Sequence, residues 1–344
     1  MKQMKKPLLA ILTALALTMP GCVHADTAGA GELARFFPFM PDTLLTFTVE
    51  GFEVPGTRTI FHAYIRENRV QRMIHASDFP PSIEIIEVGD EQVRLIFGDP
   101  HHYNIEDMTQ VAPMLDFVIL QAPIEVGTGW SNGGETSSIT AVDVPVETPL
   151  GVFEAVQVTT VTTRGFEERY YYAEGIGLVK SVHPNDLGTF VVTLSEIVTD
   201  TAASHPLAVL FPNIEENTIE VEPRSLSVPT NGDFVPLLAQ ELAAPASDGV
   251  LPLLPDAAIL NSIEVFRAEN MAHVDVSSGL RDWQNIGDGT IGAVFMALTN
   301  TIGLFTEVAH VYYTMDGAPF EWGPIQLATG EAVRVHDFSE ILGD

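Results

Sequence analysis

The stretch Leu298-Thr-Asn-Thr-Ile302, running on through Val311-Tyr-Tyr-Thr-Met-Asp-Gly317, decides the reading of the last third of the chain. Ile291, Val294, Phe295, Leu298 and Ile302 recur at spacings of three and four, which predicts a helix over 290–304 with one apolar face. Val308 to Thr314 then reads as an apolar strand, closed by the turn pair Asp316-Gly317. Upstream, Ala258 to Arg267 and Ala272 to Val276 read as strands flanking Glu269-Asn270. Phe234 to Ala244 reads as a helix capped by Asp233, with Pro236 tolerable in its first turn. Leu207 to Phe211 and Thr218 to Leu226 are two further strands. The expectation for this part is a small α/β sandwich, a sheet with two helices on one face.

Residues 33–200 carry mostly β signals. Thr43 to Glu50 alternates apolar and polar residues. Arg58 to Ile65 and Arg69 to Ala76 flank Glu67-Asn68 as a hairpin, and Ser82 to Glu87 and Gln92 to Phe97 flank Gly89-Asp90. Further strands follow to Ile197 at about ten-residue spacing, which predicts an antiparallel sheet or open barrel. Thr199 to Pro206 is small and polar and reads as a linker. The fold class expected for the whole is α+β: a β-rich antiparallel domain over 33–200, then the α/β sandwich over 205–340.

The run 298–317, with Val274-Asp-Val-Ser-Ser-Gly279 and Leu210-Phe-Pro-Asn213, resembles the GerMN domain, a module named after spore-germination proteins. That resemblance implies an envelope interaction module and no enzyme, in sporulation, germination or envelope assembly. Phe37-Pro38-Phe39, the segments 119–130 and 146–155, and Tyr171-Tyr-Ala-Glu-Gly-Ile-Gly-Leu-Val-Lys180 are similar to β-rich domains of bacterial lipoproteins. They name a fold more than a function.

The formal charge is -30. Such a field repels nucleic acid and anionic headgroups, so neither is expected as a direct ligand. Lys2, Lys5 and Lys6 precede the apolar run Pro7 to Met19, which is short for a membrane span and reads as a signal peptide over 1–25. Two exits compete. Cys22, the only cysteine, follows Gly21 as in a lipidation site, although Pro20 is unusual there. Val23-His-Ala25 offers cleavage before Asp26. Residues 26–32 read as a tether. The chain is therefore expected to be exported, either lipid-anchored on the outer face of the cytoplasmic membrane or free in the envelope space.

Candidate chemistry is sparse. Asp99-Pro-His101-His102 with Glu106 could supply metal ligands, but adjacent histidines on a strand diverge and a solvated loop is the plainer reading. His62 and His75 are expected to face each other across a hairpin. His273 and Asp275 share a strand face near Ser277, yet no G-x-S-x-G elbow presents that serine, and Ser277 is more simply a turn former. Glu84 with Glu87 and Glu167 with Glu168 are ordinary in so acidic a chain. Tyr170, Tyr171 and Tyr172 could stack on a sugar or pack in a core. No phosphate-binding glycine loop, zinc knuckle or HExxH occurs, so no catalytic residue, metal or cofactor is expected.

The expected action is binding, to other envelope proteins or to a second copy. The surface is expected on the open side of the small sheet or on the second helix, where Thr290, Ala293, Ala297 and Thr301 form a nearly uncharged strip. The plainer reading covers that strip with another layer of the same chain. A different class of function, small-ligand or glycan binding, would require a deep apolar pocket in the β-rich domain.

Overall fold

The computed structural model describes residues 31–51, 55–77, 79–100, 105–245, 250–283 and 286–336. A short helix, α1 (Glu32–Phe36), is followed by twelve strands: β1 (Leu44–Glu50), β2 (Gly56–Arg66), β3 (Arg69–Ala76), β4 (Phe79–Val88), β5 (Gln92–Asp99), β6 (Phe117–Gln121), β7 (Gly129–Asn132), β8 (Glu135–Thr148), β9 (Gly151–Val161), β10 (Glu167–Ala173), β11 (Gly177–Asn185) and β12 (Gly188–Val198). All twelve belong to one antiparallel sheet, in the order β6-β5-β4-β3-β2-β1-β12-β11-β10-β9-β8-β7. Two meanders are therefore joined through β1 and β12, and the sheet curls until its ends, β6 and β7, come together as a nearly closed barrel.

Alternation along each strand decides what fills the barrel. Leu45, Phe47, Ile60, Ile74, Val179 and Leu194 form one inward cluster. Val70, Ile86, Val93, Leu120, Trp130, Ile139 and Val158 form another, and Leu33 and Phe37 at α1 pack into it. Residues of the segment 33–37 are thus part of the filling. The segment is held by Arg35, whose Nε and Nη2 donate to Glu174 at 2.8 and 2.6 Å, and by Gly175 N–H donating to Arg35 O at 2.7 Å.

Beyond the barrel lie β13 (Ala203–Asn213), β14 (Thr218–Val228), α2 (Phe234–Ala243), β15 (Leu260–Phe266), β16 (Met271–Val276), α3 (Asp288–Thr306), β17 (His310–Met315) and β18 (Ala318–Pro319). Strands β13 and β14 form a two-stranded sheet of their own, with one isolated antiparallel bridge from Asn213 to Val250. The small sheet runs β15-β16-β17-β18, and the short strand Ala332–Arg334 also pairs with β17. Strands β16 and β17 are parallel, with α3 as the crossover between them. Gly279 closes the loop after β16 because a Cβ there would lie 1.9 Å from Ala257 O.

The expected fold class is corrected by this topology. The molecule is mostly β, dominated by the twelve-stranded sheet, and its second part is not a sheet with two helices on one face. The strands of 203–228 form a separate hairpin instead of joining the small sheet, and α3 runs against that hairpin as well as against β16 and β17. The physical reason lies in the helix: nearly all of its side chains from Ile291 to Ile302 are apolar or small, so two of its sides bury and it needs a layer on each. In the stretch 199–206, residues 199–202 join β12 to β13 and residues 203–206 already belong to β13.

The two parts lock through polar contacts. Arg267 forks onto Glu106 at 2.7 and 2.9 Å. Thr230 accepts from Asp42 N–H and donates to His62 O, and Asn231 Oδ1 accepts from Ile65 N–H at 2.8 Å.

Candidate interaction surfaces

The barrel interior carries the most unusual chemistry. Arg58 shares the inward face with Phe47, its partner in register, and Arg72 pairs with Glu84 on β4. Arg72 and Glu84 form a tight ion pair, and the Arg72 guanidinium lies 5.3 Å over the Phe37 ring. Arg58 Nε and Arg72 Nε are shielded from solvent without a hydrogen-bond partner among the described residues. Burial pushes the Arg58 guanidinium below its ordinary range, only partly countered by Glu84. Burial alone would push the Glu84 carboxyl up, but Arg72 and Arg58 together hold it low. His62 is driven down to about 3 by burial, with Arg72 adding to the effect. Its neutral ring is used: Nδ1 accepts Met40 N–H at 2.9 Å. This belt ties the entering chain to the barrel wall.

The other polar assembly lies on the face of the small sheet turned away from α3. Ala272, Val274, Val276, Val311, Tyr313 and Met315 are buried on the helix side. The alternate residues make the open side, and the register arranges them in rows. Phe266, Met271, His310 and Arg334 follow one another across the strands, then Glu264, His273, Tyr312 and Ala332, then Ser262, Asp275, Thr314 and Pro319. Phe266 is 39% exposed, and Met271, His273 and Tyr312 are half-buried. His273 packs on Tyr312 with ring centroids 5.0 Å apart.

Hydrogen bonds fix this face. Thr314 Oγ1 donates to Asp275 Oδ1 at 2.6 Å, Gly317 N–H donates to the same oxygen at 2.8 Å, and Asn261 Nδ2 donates to Oδ2 at 2.7 Å. Partial burial pushes the Asp275 carboxyl up, and these donors outweigh it, so the group titrates below the usual carboxylate range. His273 Nε2 lies 2.9 Å from Thr314 Oγ1. Because the threonine proton goes to Asp275, the imidazole is the donor in that contact. A base cannot activate a hydroxyl to which it donates, so this chain of groups is an ordered surface and not a nucleophile with its base. Ser277 stands apart: its Oγ accepts Ile259 N–H at 2.8 Å and closes a turn, in line with the plainer reading.

The helix strip is buried at Ala297 and Thr301 and half-buried at Thr290 and Ala293. Thr301 is 0% and Ala297 2% exposed, and Thr301 Oγ1 accepts Leu210 N–H from β13 at 3.0 Å. The small residues let the hairpin approach closely. His62 and His75 do not face each other; His62 points into the barrel and His75 is exposed, beside Thr59 on β2. Glu106 is engaged by Arg267, while His101, His102 and Cys22 lie outside the described residues. Tyr170 OH donates to Glu168 and Tyr172 is buried, so both rings serve packing. The void at the junction of the two parts, lined by Ala63, Tyr64, Met73, Ile105 and His205, is too small for an organic ligand. The barrel belt was missed in sequence reading, although Arg58 and Arg72 at inward positions of alternating strands were a visible signal.

No protein-family description matches the chain, and no curated protein matches it. Among solved structures, the tandem GerMN domains of the sporulation protein GerM from Bacillus subtilis are 16% identical, with 40% of this chain and 52% of that one covered and a TM-score of 0.26. This chain thus spans about half the length of that structure. A crystal structure of MucB is 11% identical over 65% of this chain and 66% of that one, TM-score 0.24. The Pseudomonas aeruginosa MucA/MucB complex gives 11%, 65% of each and 0.24. Likenesses this low carry no functional argument.

Proposed function

We propose that this chain is an exported, non-catalytic envelope protein that acts by protein–protein contact through the open face of the small sheet. The observation that carries this reading is the composition of that face. In a chain of net charge -30, it presents Phe266, Met271, His273, Tyr312 and His310, with Asp275 tied down by three donors. Aromatic and methionine side chains with few free charges are what the centre of an interface contains. The GerMN resemblance of 205–340 suggests the setting: envelope assembly, sporulation or germination, with another envelope protein or a second copy as partner. Glycan or small-ligand binding is less well supported, because Leu33 and Phe37 help to fill the barrel interior. In this reading Cys22 carries a lipid anchor, and Cys22→Ala releases the protein from membranes; recovery of an unlipidated form starting at Asp26 overturns the anchor alone. The test of the binding face is the double change Met271→Asp and Tyr312→Asp. It should abolish co-purification of the envelope partner, or self-association, with melting unchanged. Retained association with unchanged melting refutes the reading.

A further inference from the structure

The barrel has a place where its sheet is left unzipped. Strands β6 and β7 lie at opposite ends of the hydrogen-bonded order, yet they are consecutive in sequence and adjacent in space. No main-chain ladder joins them. Side chains bridge the gap instead. The Asn132 amide accepts Val118 N–H through Oδ1 and donates to Val118 O through Nδ2, both at 2.9 Å. Trp130 Nε1 also donates to Val118 O, at 3.0 Å, and Gln121 Nε2 reaches Gly129 O at 3.4 Å. One amide that accepts from and donates to the same residue reproduces what a neighbouring strand's peptide groups do in an antiparallel pair. Asn132 therefore stands in for a missing strand.

The surroundings suit an incoming chain of particular chemistry. Apolar side chains flank β6 on the outside: Met114 is 74%, Leu115 44% and Phe117 42% exposed, and Val126 in the loop to β7 is 62% exposed. At the far end of β6 an open groove is lined by Glu32, Glu91, Gln92, Gln121, Ala122 and Pro123. Its charged groups are both carboxylates. Glu125 and Ser131 are exposed along the same seam, and Arg94, the nearby cation, is engaged by Glu87 and Asp116. An extended segment alternating apolar and basic side chains meets both features, with apolar groups on the Phe117 side and cations at the Glu32–Glu91 end.

We propose that the β6–β7 seam accepts an extended, basic segment of a partner protein as an added strand, which displaces the Asn132 amide and closes the barrel. This is a second surface, independent of the small-sheet face, and uses strand addition, in which the main chain supplies affinity and alternate side chains the selectivity.

The test is hydrogen exchange on the full chain with a short synthetic peptide of alternating valine and lysine. Exchange at amides of 117–121 and 129–132 should slow by about tenfold or more, in the way that a newly paired strand edge is protected. A peptide with glutamate for lysine should give no protection. A peptide of the same charge interrupted by proline should give none either, because proline removes the ladder donor. In Asn132→Ala, which removes the competing amide, the peptide should bind about tenfold more tightly. Protection elsewhere, equal protection by the proline peptide, or no protection in the wild-type chain each overturns the proposal. The wild-type mapping decides even if the Asn132 variant fails to fold. Equal binding of the two basic peptides would identify simple attraction to an acidic surface.

Discussion

The barrel and the small-sheet part solve the filling of an interior in opposite ways. The barrel closes over two guanidiniums, one carboxylate and a neutral imidazole, and takes in Leu33 and Phe37 from α1 and its end to do so. The second part buries an unbroken apolar set in which Phe295, Tyr313 and Phe320 lie 5.1–5.4 Å apart, and its buried threonines are spent on local bonds such as Thr299 to Tyr313. The lesson concerns where binding can occur. A charged, chain-filled interior acts as a fixed scaffold, whereas a sheet with one dry face has its other face free for contact.

The comparison can be broken most forcefully in the apolar part. Ala297→Glu places a carboxylate at a 2% exposed position with no cation beside it, and should cost at least about 4 kcal/mol, enough to unfold this part in a melting experiment. Unchanged melting would mean that the hairpin does not cover α3. In the barrel, Glu84→Gln leaves Arg58 and Arg72 facing each other without their carboxylate, and should lower stability by about 3–5 kcal/mol. Glu264→Gln on the open sheet face should change it by less than about 0.5 kcal/mol.

Acid sharpens the same contrast. The folded-state pKa of His62 is depressed to about 3, so its stabilising contribution is present above its unfolded value of about 6.5 and is lost as pH falls from there toward 3. His205, lowered to about 4 by burial, adds to this. Glu84 contributes in the same direction at lower pH, since a depressed carboxylate loses its benefit as it is protonated. Stability should therefore decline from about pH 6.5 downward, and His62→Gln should flatten that slope. Protonation of the folded protein, near pH 3, also removes the acceptor of Met40 N–H, so the protection of that amide, taken relative to its intrinsic exchange rate, should fall as pH drops toward 3. An effect between those of Glu84→Gln and Glu264→Gln is expected from Thr301→Val, which leaves Leu210 N–H without its acceptor at a cost of about 1–3 kcal/mol.

Much of the local structure was legible in the residues. The Asp233 cap accepts Val235 N–H as expected, and the helix read over 290–304 is observed over 288–306. The Glu67-Asn68 hairpin is in place, with Glu67 at φ 52°. Long-range arrangement was not legible. Alternation tells which side of β2 faces inward but not that the sheet curls until β6 meets β7. An apolar strand such as Leu207 to Phe211 carries no mark of which sheet it joins, so the hairpin was assigned to the small sheet. Small residues on a helix signal close approach without saying whether the approaching element belongs to the same chain. The open face was half visible: His273 and Asp275 were placed on one side of one strand, but Tyr312 and Thr314 join them only through parallel pairing across α3.

The most direct test is a photo-crosslinking residue placed in turn at Phe266, Met271 and Tyr312 on the open sheet face and at Val152 and Leu187 on the barrel exterior, in the intact protein expressed in its host. Adducts to one partner, or to a second copy, at the three sheet positions and none at the two barrel positions are the expected result. Adducts confined to the barrel positions, or none at the sheet face, would contradict it.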